Sequence, residues 1–281
     1  MPTESFPTYG ELEGFKATAL EAAAVAGQIL LDYARHGFQI EYKHAIDLVT
    51  DADRKSEQAI IDTIRRTYRH HDILAEERGM ESAGTSPYKW IIDPLDGTTN
   101  FAHGFPMYCV SIGLEYRGQI VLGVIFDPTR QELFVAVSGQ GARRNGEPIS
   151  VSRSSTLDAA LLVTGFAYDL RESTHNNLDY FSRFCLVARG VRRTGSAAID
   201  LCYVAAGRFD GFWEMKLHPW DMAAGSLIVT EAGGRMSDFK GGAFSIYGYE
   251  MVASNGLIHD EMLDVLGNGT STSPTQPPSS R

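Results

Sequence analysis

The sequence predicts an α+β protein, with an antiparallel β meander in its first half and a mixed α/β arrangement in its second. Three observations carry that expectation. Between residues 110 and 151, short apolar segments are separated by tight turn signals, and Asn145-Gly146 is the strongest hairpin signal in the chain. From about Leu157 the rhythm changes to alternating strand and helix segments, the pattern of a layered unit with a partly parallel sheet. Ahead of both, two segments carry apolar residues at helical spacing. The change of rhythm sets a boundary near residue 155, between an N-terminal half over 11–155 and a C-terminal half over 156–266.

Residues 1–10, with Pro2, Pro7 and Gly10, read as a loose lead-in. Leu12, Phe15, Ala19, Ala22, Ala26, Ile29 and Tyr33 then recur at intervals of three and four, predicting a long helix from Glu11 to about Arg35 that ends near Gly37. A second helix is predicted from about Asp53 to Tyr68. Asp51 and Asp53 stand at its start, where capping and the helix dipole favour carboxylates. His70-His71 follow its end, where a protonated imidazole complements the dipole. Asp72–Ala75 reads as a short strand leading into Glu76-Glu77. Val110–Tyr116, Gln119–Phe126, Glu132–Val137 and Ile149–Val151 are the strands of the meander. In the second half, strands at Leu161–Thr164, Val191–Arg193 and Phe209–Trp213 alternate with helices at Ser173–Val187, Ser196–Ala206 and Asp221–Glu231. Two short strands and a helix over Leu257–Leu266 close the fold. The tail 267–281, rich in Ser, Thr and Pro, cannot bury a core and is expected to be disordered.

Composition narrows the function classes. Over 281 residues, 43% hydrophobic and 21% charged residues are values of an ordinary globular protein. A net charge of −10 argues against nucleic acid or an anionic membrane surface as a partner. An anionic substrate would need local positive charge, which bound metal ions supply. Cys109, Cys185 and Cys202 form no CxxC pair and lie in apolar settings, so all three are expected to be buried free thiols in a reducing compartment. No basic stretch followed by an apolar run stands at the start, and no run approaches the ~20 apolar residues of a membrane span. These features predict a cytoplasmic protein.

Chemistry concentrates in Trp90-Ile91-Ile92-Asp93-Pro94-Leu95-Asp96-Gly97-Thr98-Thr99-Asn100. Apolar residues of strand type lead into two carboxylates three apart, and Pro94 biases Asp93 towards an extended backbone. Carboxylate oxygens and the Leu95 carbonyl are the ligands that hard divalent cations prefer. Gly97, Thr98 and Thr99 then offer amides and hydroxyls of the kind that cradle an anion. Taken singly, Asp-Pro and Asp-Gly are ordinary turn signals. Elsewhere, Trp220-Asp221-Met222-Ala223-Ala224-Gly225 places an acid at a helix start, where capping accounts for it equally well. Glu76-Glu77 on its own reads as a solvated rim, and His218 beside Pro219 as structural. Arg192 and Arg193 have the bidentate geometry that suits phosphate.

As a whole, these residues resemble the inositol monophosphatase family of Mg²⁺-dependent phosphatases, within the wider group that includes fructose-bisphosphatases. The stretch from Trp90 to Asn100 matches one family signature. W-D-x-A-A-G followed by E-A-G-G, met by Trp220–Gly225 and Glu231–Gly234, matches the second. The resemblance runs from about residue 11 to 266. Relatives usually read Gly-Glu-Glu-Ser where this chain has Ala75 and Arg78 around the two acids.

The resemblance implies a layered αβαβα sandwich of the sugar-phosphatase type. It implies two Mg²⁺ ions per subunit, or three with the third weaker, together with Li⁺ inhibition and a homodimer. One ion would take Glu76, Asp93 and the Leu95 carbonyl; a second would take Asp93, Asp96 and Asp221. Glu76 and Thr98, with Asp53 orienting the Thr98 hydroxyl, would position the attacking water, and Glu77 would support Glu76. Gly97 and Thr98 would hold the phosphate. Gly195, Ser196, Ala197, Glu214, Asp96 and Asp221 would face the substrate, although Glu214 reads as readily as an exposed acid at a strand end. Lys43 would belong to a mobile active-site loop, with a spacing from Asp53 one residue short of some relatives. Relatives often carry arginine at the 192–193 pair, and one of the two would reach the substrate or a subunit interface. Inositol-1-phosphate is the expected substrate, on Glu214 and the Gly195–Ala198 segment. Histidinol phosphate, fructose 1,6-bisphosphate and a broad range of sugar phosphates are the alternatives within the family. From a different class, a non-catalytic regulatory binding protein on the same scaffold would have lost a metal acid, and every acid is present. No GxGxxG stands at a strand-to-helix turn, which sets aside a dinucleotide-binding module.

Overall fold

The computed structural model describes residues 6–42, 48–82, 84 and 86–267. In the first half these form α1 (Tyr9–His36), β1 (Ile40–Tyr42), β2 (Leu48–Thr50), α2 (Asp51–Thr67), β3 (Asp72–Ala75), β4 (Gly79–Glu81), β5 (Tyr88–Asp96), α3 (Thr98–Ala102), β6 (Cys109–Tyr116), β7 (Gln119–Asp127), β8 (Glu132–Val137), β9 (Ala142–Arg144) and β10 (Glu147–Pro148). Strands β3 to β10 make one sheet in the order β10-β9-β8-β7-β6-β5-β3-β4. From β5 to β10 it is the expected antiparallel meander, and only β3 lies parallel to β5.

The second half forms β11 (Leu161–Thr164), α4 (Leu178–Val187), β12 (Gly190–Arg192), α5 (Ala197–Ala205), β13 (Gly211–Met215), α6 (Pro219–Glu231), β14 (Arg235–Ser237), β15 (Glu250–Ser254) and α7 (His259–Gly267). Its sheet runs β12-β11-β13-β15-β14, with β11 parallel to both of its neighbours and β15 antiparallel to both of its own. The sheet is therefore mixed, as the alternation of elements predicts.

Strand alternation sorts side chains into five layers, because successive residues of a strand face opposite sides of its sheet. Trp90 and Ile92 of β5 join a core with α1 and α2, while Ile91 joins a different core with α5 and α6. Phe212 of β13 and Ala253 of β15 reach that same middle core, whereas Trp213 and Val252 reach a third core with α4 and α7. The order is thus α1/α2, large sheet, α5/α6, small sheet, α4/α7: the αβαβα sandwich.

Helix α6 is the filling. Residues 222–229 are buried without a break, as a helix between two sheets requires. Gly123 of β7 lets the helix backbone come close: a Cβ there would stand 2.5 Å from the Ala224 carbonyl oxygen and 3.0 Å from its Cα. Ala223 and Ala224 meet Gly113 and Gly123 of the sheet, while Gly225 lets Leu201 of α5 come close.

Several elements differ from expectation for identifiable reasons. Helix α1 begins at Tyr9, inside the expected lead-in, because Thr8 and Glu11 form a capping box. Helix α2 begins at Asp51 because Thr50 caps it. The β1–β2 pair was not foreseen, since three-residue strands carry no periodicity of their own. The Asn145-Gly146 hairpin is present, but its outgoing strand is Glu147–Pro148 and not Ile149–Val151. Pro148 has no N–H to extend the ladder, and the Val151 amide turns to the Ala232 carbonyl at 3.2 Å.

In the second half, α4 starts at Leu178 and not Ser173. The Asn177 side chain is taken into the core by Thr164 Oγ1 (2.7 Å), the Gly165 carbonyl (2.6 Å) and Trp213 Nε1 (2.7 Å). Strand β13 runs two residues later than Phe209–Trp213, because the Arg208 and Phe209 amides still bond to the Tyr203 carbonyl at the end of α5. Cys109 and Cys202 are buried free thiols, but Cys185, on α4, is exposed. His71 is not a protonated helix-end residue. It stacks between Tyr68 and Tyr88 and accepts from Trp90 Nε1 at 3.2 Å, and burial lowers its pKa to about 4. Of the expected tail, Gly267 ends α7 and residues 268–281 lie outside the described residues. Lys43 and the lead-in residues 1–5 lie outside them too. No described helix is long and apolar enough to cross a membrane.

Closeness of α6 to the large sheet makes a direct prediction. Gly123→Ala forces the helix and sheet apart and is expected to destabilise the protein by about 2–3 kcal/mol. In a thermal melt the midpoint should fall by several degrees.

Candidate functional site

The end of β5 is irregular where the chemistry lies. Pairing with β6 is regular to Asp93↔Ser111, then the register shifts before Asp96↔Cys109. Pro94, with no N–H to give the ladder, sits in that shift. The Asp93 carboxylate folds back to accept from the Leu95 amide at 2.9 Å. Gly97 follows with φ 95°, and a Cβ there would be 2.8 Å from the Met107 carbonyl oxygen. Both the left-handed backbone and the close approach require glycine.

Helix α2 meets this end from behind. Asp53 Oδ2 accepts from the Thr50 amide (2.8 Å) and hydroxyl (2.6 Å), closing the helix cap. Its other oxygen, Oδ1, faces the Thr98 hydroxyl at 3.1 Å. Capping and the pairing with Thr98 are thus not rivals: one carboxylate does both, one oxygen each. The Thr98 hydroxyl also lies 3.0 Å from the Leu95 carbonyl, and with one proton it can donate to only one of the two at a time. Burial raises the Asp53 pKa to about 6, against the pull of the Thr50 and Thr98 bonds.

The second half arrives through two helix starts. At α6, Pro219 occupies the first turn and Asp221 Oδ2 accepts from the His218 amide at 2.6 Å. At α5, the side chain that fills the helix start is Asp96, from the other half of the chain. Its Oδ2 accepts from the Ser196 hydroxyl (2.5 Å) and the Ala198 amide (2.8 Å). These bonds join the two halves of the chain at the segment expected to present its backbone to the substrate. Glu214 lies within β13 and is buried, not an exposed strand-end acid. Its carboxylate fills the space beside Gly165, where a Cβ would stand only 2.3 Å away.

Every residue expected to hold metal or face the substrate lines one cavity of about 800 Å³: Glu76, Asp93, Leu95, Asp96, Gly97 and Thr98 from the first half, and Gly195, Ser196, Ala197, Glu214 and Asp221 from the second. Asp53 stands behind it through Thr98. Of the two arginines, Arg193 lines the cavity and Arg192 does not. Asp200 and Lys216 also line it and were not singled out from the sequence. Asp200 is buried on α5 and accepts from the Thr194 hydroxyl at 2.6 Å. Lys216 holds Asp169 at 2.5 Å and Ser173 at 2.9 Å. Its left-handed backbone (φ 64°) was the one local oddity, and nothing in the residue type announces it.

The electrostatics are one-sided. Burial, then the fields of Glu76, Asp96 and Asp221, push the Asp93 carboxyl well above the usual carboxylate range. Burial and Asp96 bring Asp221 to about 7. Burial raises Asp96, and the bonds from Ser196 and the α5 amides pull it back. Glu214 is raised by burial and by Asp200 and Asp221, with Arg193 opposing. Among the described residues, no group of three acid, imidazole or thiol side chains stands ready to enclose an ion. Asp93, Asp96 and Asp221 are each anchored through one oxygen. The donor set of carboxylates and one carbonyl, without thiol or imidazole, fits a hard divalent cation, which would also neutralise the acids.

Comparison with known proteins places the chain in a family. The model of the inositol monophosphatase family matches residues 11–268. An inositol-1-monophosphatase of Synechocystis is 46% identical, over 91% of this chain and 90% of its own length. The Nus factor SuhB of Pseudomonas aeruginosa is 44% identical, over 93% of this chain and 96% of its own. The solved inositol monophosphatase of Anabaena superposes with a TM-score of 0.84 at 44% identity, covering 92% of this chain and 96% of that one. A more distant solved relative, an IMPase/NADP phosphatase, holds Mg²⁺ and phosphate (25% identity, TM-score 0.81, 92% of this chain and 97% of that one). This chain belongs to the inositol monophosphatase family and is a phosphoric monoester hydrolase.

The raised acids predict how stability follows pH. A carboxyl whose folded pKa exceeds its unfolded value near 4 holds its proton more tightly when folded. Its contribution is therefore present below the unfolded value and is lost as pH rises through about 6 for Asp53 and about 7 for Asp221. Chelator-treated protein should lose melting temperature steadily from pH 5 to pH 8. Added Mg²⁺ should restore most of the loss at pH 8 and little of it at pH 5, read by differential scanning calorimetry.

Proposed function

We propose that this chain is a divalent-metal-dependent phosphomonoesterase that hydrolyses inositol-1-phosphate to inositol and phosphate by direct attack of water. One observation carries the reading: Glu76, Asp93, Asp96 and Asp221, drawn from the end of β3, from β5 and from α6, share one cavity with the Leu95 carbonyl. Two Mg²⁺ ions would be held by these groups, Glu76, Asp93 and the Leu95 carbonyl serving one and Asp93, Asp96 and Asp221 the other. When bound, they supply Lewis acidity for the attacking water and the departing alkoxide.

The chain's own residues do the rest. With its proton given to Asp53, the Thr98 hydroxyl oxygen accepts from a water and orients it. Glu76, lining the same wall, takes the proton that the water releases. The Gly97 and Thr98 amides meet the phosphate oxygens, and Glu214 meets the hydroxyls of the polyol. The Ser196 hydroxyl is turned to Asp96, and burial raises the Cys109 thiol, so neither suits a covalent step. The same reading carries a cytoplasmic homodimer that is inhibited by Li⁺.

Phosphate release from inositol-1-phosphate, histidinol phosphate and fructose 1,6-bisphosphate tests it, each with Mg²⁺, with EDTA, and with Mg²⁺ plus Li⁺. Inositol-1-phosphate should be preferred, in a reaction abolished by EDTA. Asp93→Asn should lower kcat by roughly 10³-fold or more. Glu214→Ala should lower kcat/KM on inositol-1-phosphate about 10–100-fold and leave p-nitrophenyl phosphate within about threefold. Preference for another ester would overturn the role of Glu214. Absence of release from all three would favour a regulatory binding protein on the same scaffold.

A further inference from the structure

Helix α2 does more than present Asp53. Asp53, Ser56 and Glu57 stand at spacing i, i+3 and i+4, so they share one helix face. All three are buried, Glu57 to 1% exposure. A buried Glu on a helix is costly unless it is paired, and an apolar residue would pack there at less cost. Each of the three instead bonds to a different distant segment that carries the site.

Ser56 serves the irregular end of β5. Its hydroxyl donates to the Pro94 carbonyl at 2.8 Å. That carbonyl lies inside the register shift between Asp93 and Asp96, where regular pairing with β6 is interrupted. A buried carbonyl there needs a partner. The bond fixes the Pro94 carbonyl between Asp93 and Leu95, two of the three β5 residues that line the cavity.

Glu57 serves the end of β3. Its Oε2 accepts from the Glu77 amide at 2.8 Å, and its Oε1 lies 3.3 Å from Arg78 Nε. The Glu76 amide is itself bonded to the Ile92 carbonyl at 3.2 Å. Glu76 is thus held between two anchored peptides, one tied to β5 and one to α2. Neither Ser56 nor Glu57 lines the cavity.

We propose that Ser56 and Glu57 are positioning residues for the metal-holding groups, Ser56 setting Asp93 and the Leu95 carbonyl and Glu57 setting Glu76. The proposal rests on the reading of the cavity as a divalent-metal phosphatase site. Along the helix, the Asp53-x-x-Ser56-Glu57 stripe works as one bracket. It fixes the relative placement of Thr98, the β5 shift and the β3 end, segments separated by up to 45 residues from their partner on α2. Removing a bracket bond leaves every metal-holding oxygen in place chemically but lets it wander. Ion affinity, which depends on donors placed together in advance, falls before anything else.

The test is calorimetric titration of Mg²⁺ into the wild type, Ser56→Ala, Glu57→Gln and Glu57→Ala, with a thermal melt of each metal-free protein. Glu132→Gln serves as the control, an acid remote from the cavity that pairs with Arg208 and Arg144. Ser56→Ala and Glu57→Ala should each weaken Mg²⁺ binding about 10–100-fold. At saturating Mg²⁺ the KM for substrate should stay within about threefold of the wild type. Glu57→Gln keeps an acceptor for the Glu77 amide and should recover much of the affinity. A purely structural role would lower the melting temperature, as in the control, and leave Mg²⁺ affinity within about twofold. That result would overturn the proposal while the wild type still bound metal and turned over substrate. A wild type that binds no Mg²⁺ would overturn the phosphatase reading as well. Should Glu57→Ala fail to fold, Ser56→Ala, which removes one hydroxyl, decides alone.

Discussion

Four carboxylates facing one cavity are a standing electrostatic problem, and the site is arranged around it. Asp93 feels Glu76, Asp96 and Asp221 at once, with burial removing the water that would screen them. Among the described residues, the cations at the cavity are Arg193 and Lys216, and the Lys216 ammonium is already held by Asp169. Such acids stay together only if the surrounding structure determines them and a cation completes the charge. The anchoring is explicit. Asp93 is tied to the Leu95 amide, Asp96 to the start of α5, and Asp221 to the start of α6. Each is fixed through one oxygen, by backbone or short polar groups on rigid elements.

The same need explains the layered architecture. Acids from β3 and β5 must meet an acid from α6, although the two halves fold around separate sheets. Helix α6 bridges them, buried over residues 222–229 and packed against the glycines of the large sheet. At the cavity itself, Asp96 helps close the seam by accepting from the Ser196 hydroxyl and the Ala198 amide. Packing density and site geometry are one constraint here. A helix that stood off the sheet by a methyl group would carry Asp221 away from its partners.

Capping residues recur as functional residues, for a physical reason. Helix starts collect unpaired amides and positive potential, which draw carboxylates. Asp53 caps α2 with one oxygen and meets Thr98 with the other; Asp221 closes the first turn of α6 and lines the cavity. Asp96 caps a helix to which it does not belong. Local stability and placement at the site are served by the same bonds.

The residues of the candidate site were legible in the chain itself, because their types and spacing are local facts. Acids flanking Pro94, glycine at 97, the acid pair at 76–77 and the acid after Trp220 can all be seen without coordinates. So could the long helices, whose 3.6-residue period announces them, and the hairpin at Asn145-Gly146, which needs only two residues to specify it. Tertiary structure alone decided the partners. That the Ser196 hydroxyl turns to Asp96, that Glu214 is buried against Gly165, that Asp200 and Lys216 share the cavity, and that Ser56 and Glu57 brace the ligand-bearing strands all follow from contacts across 20 to 100 residues. Burial and hydrogen-bond partnership are properties of packed layers. The short strands β1 and β2, the late start of α4 and the shifted β13 were likewise set by what lay opposite them, which no window along the sequence contains.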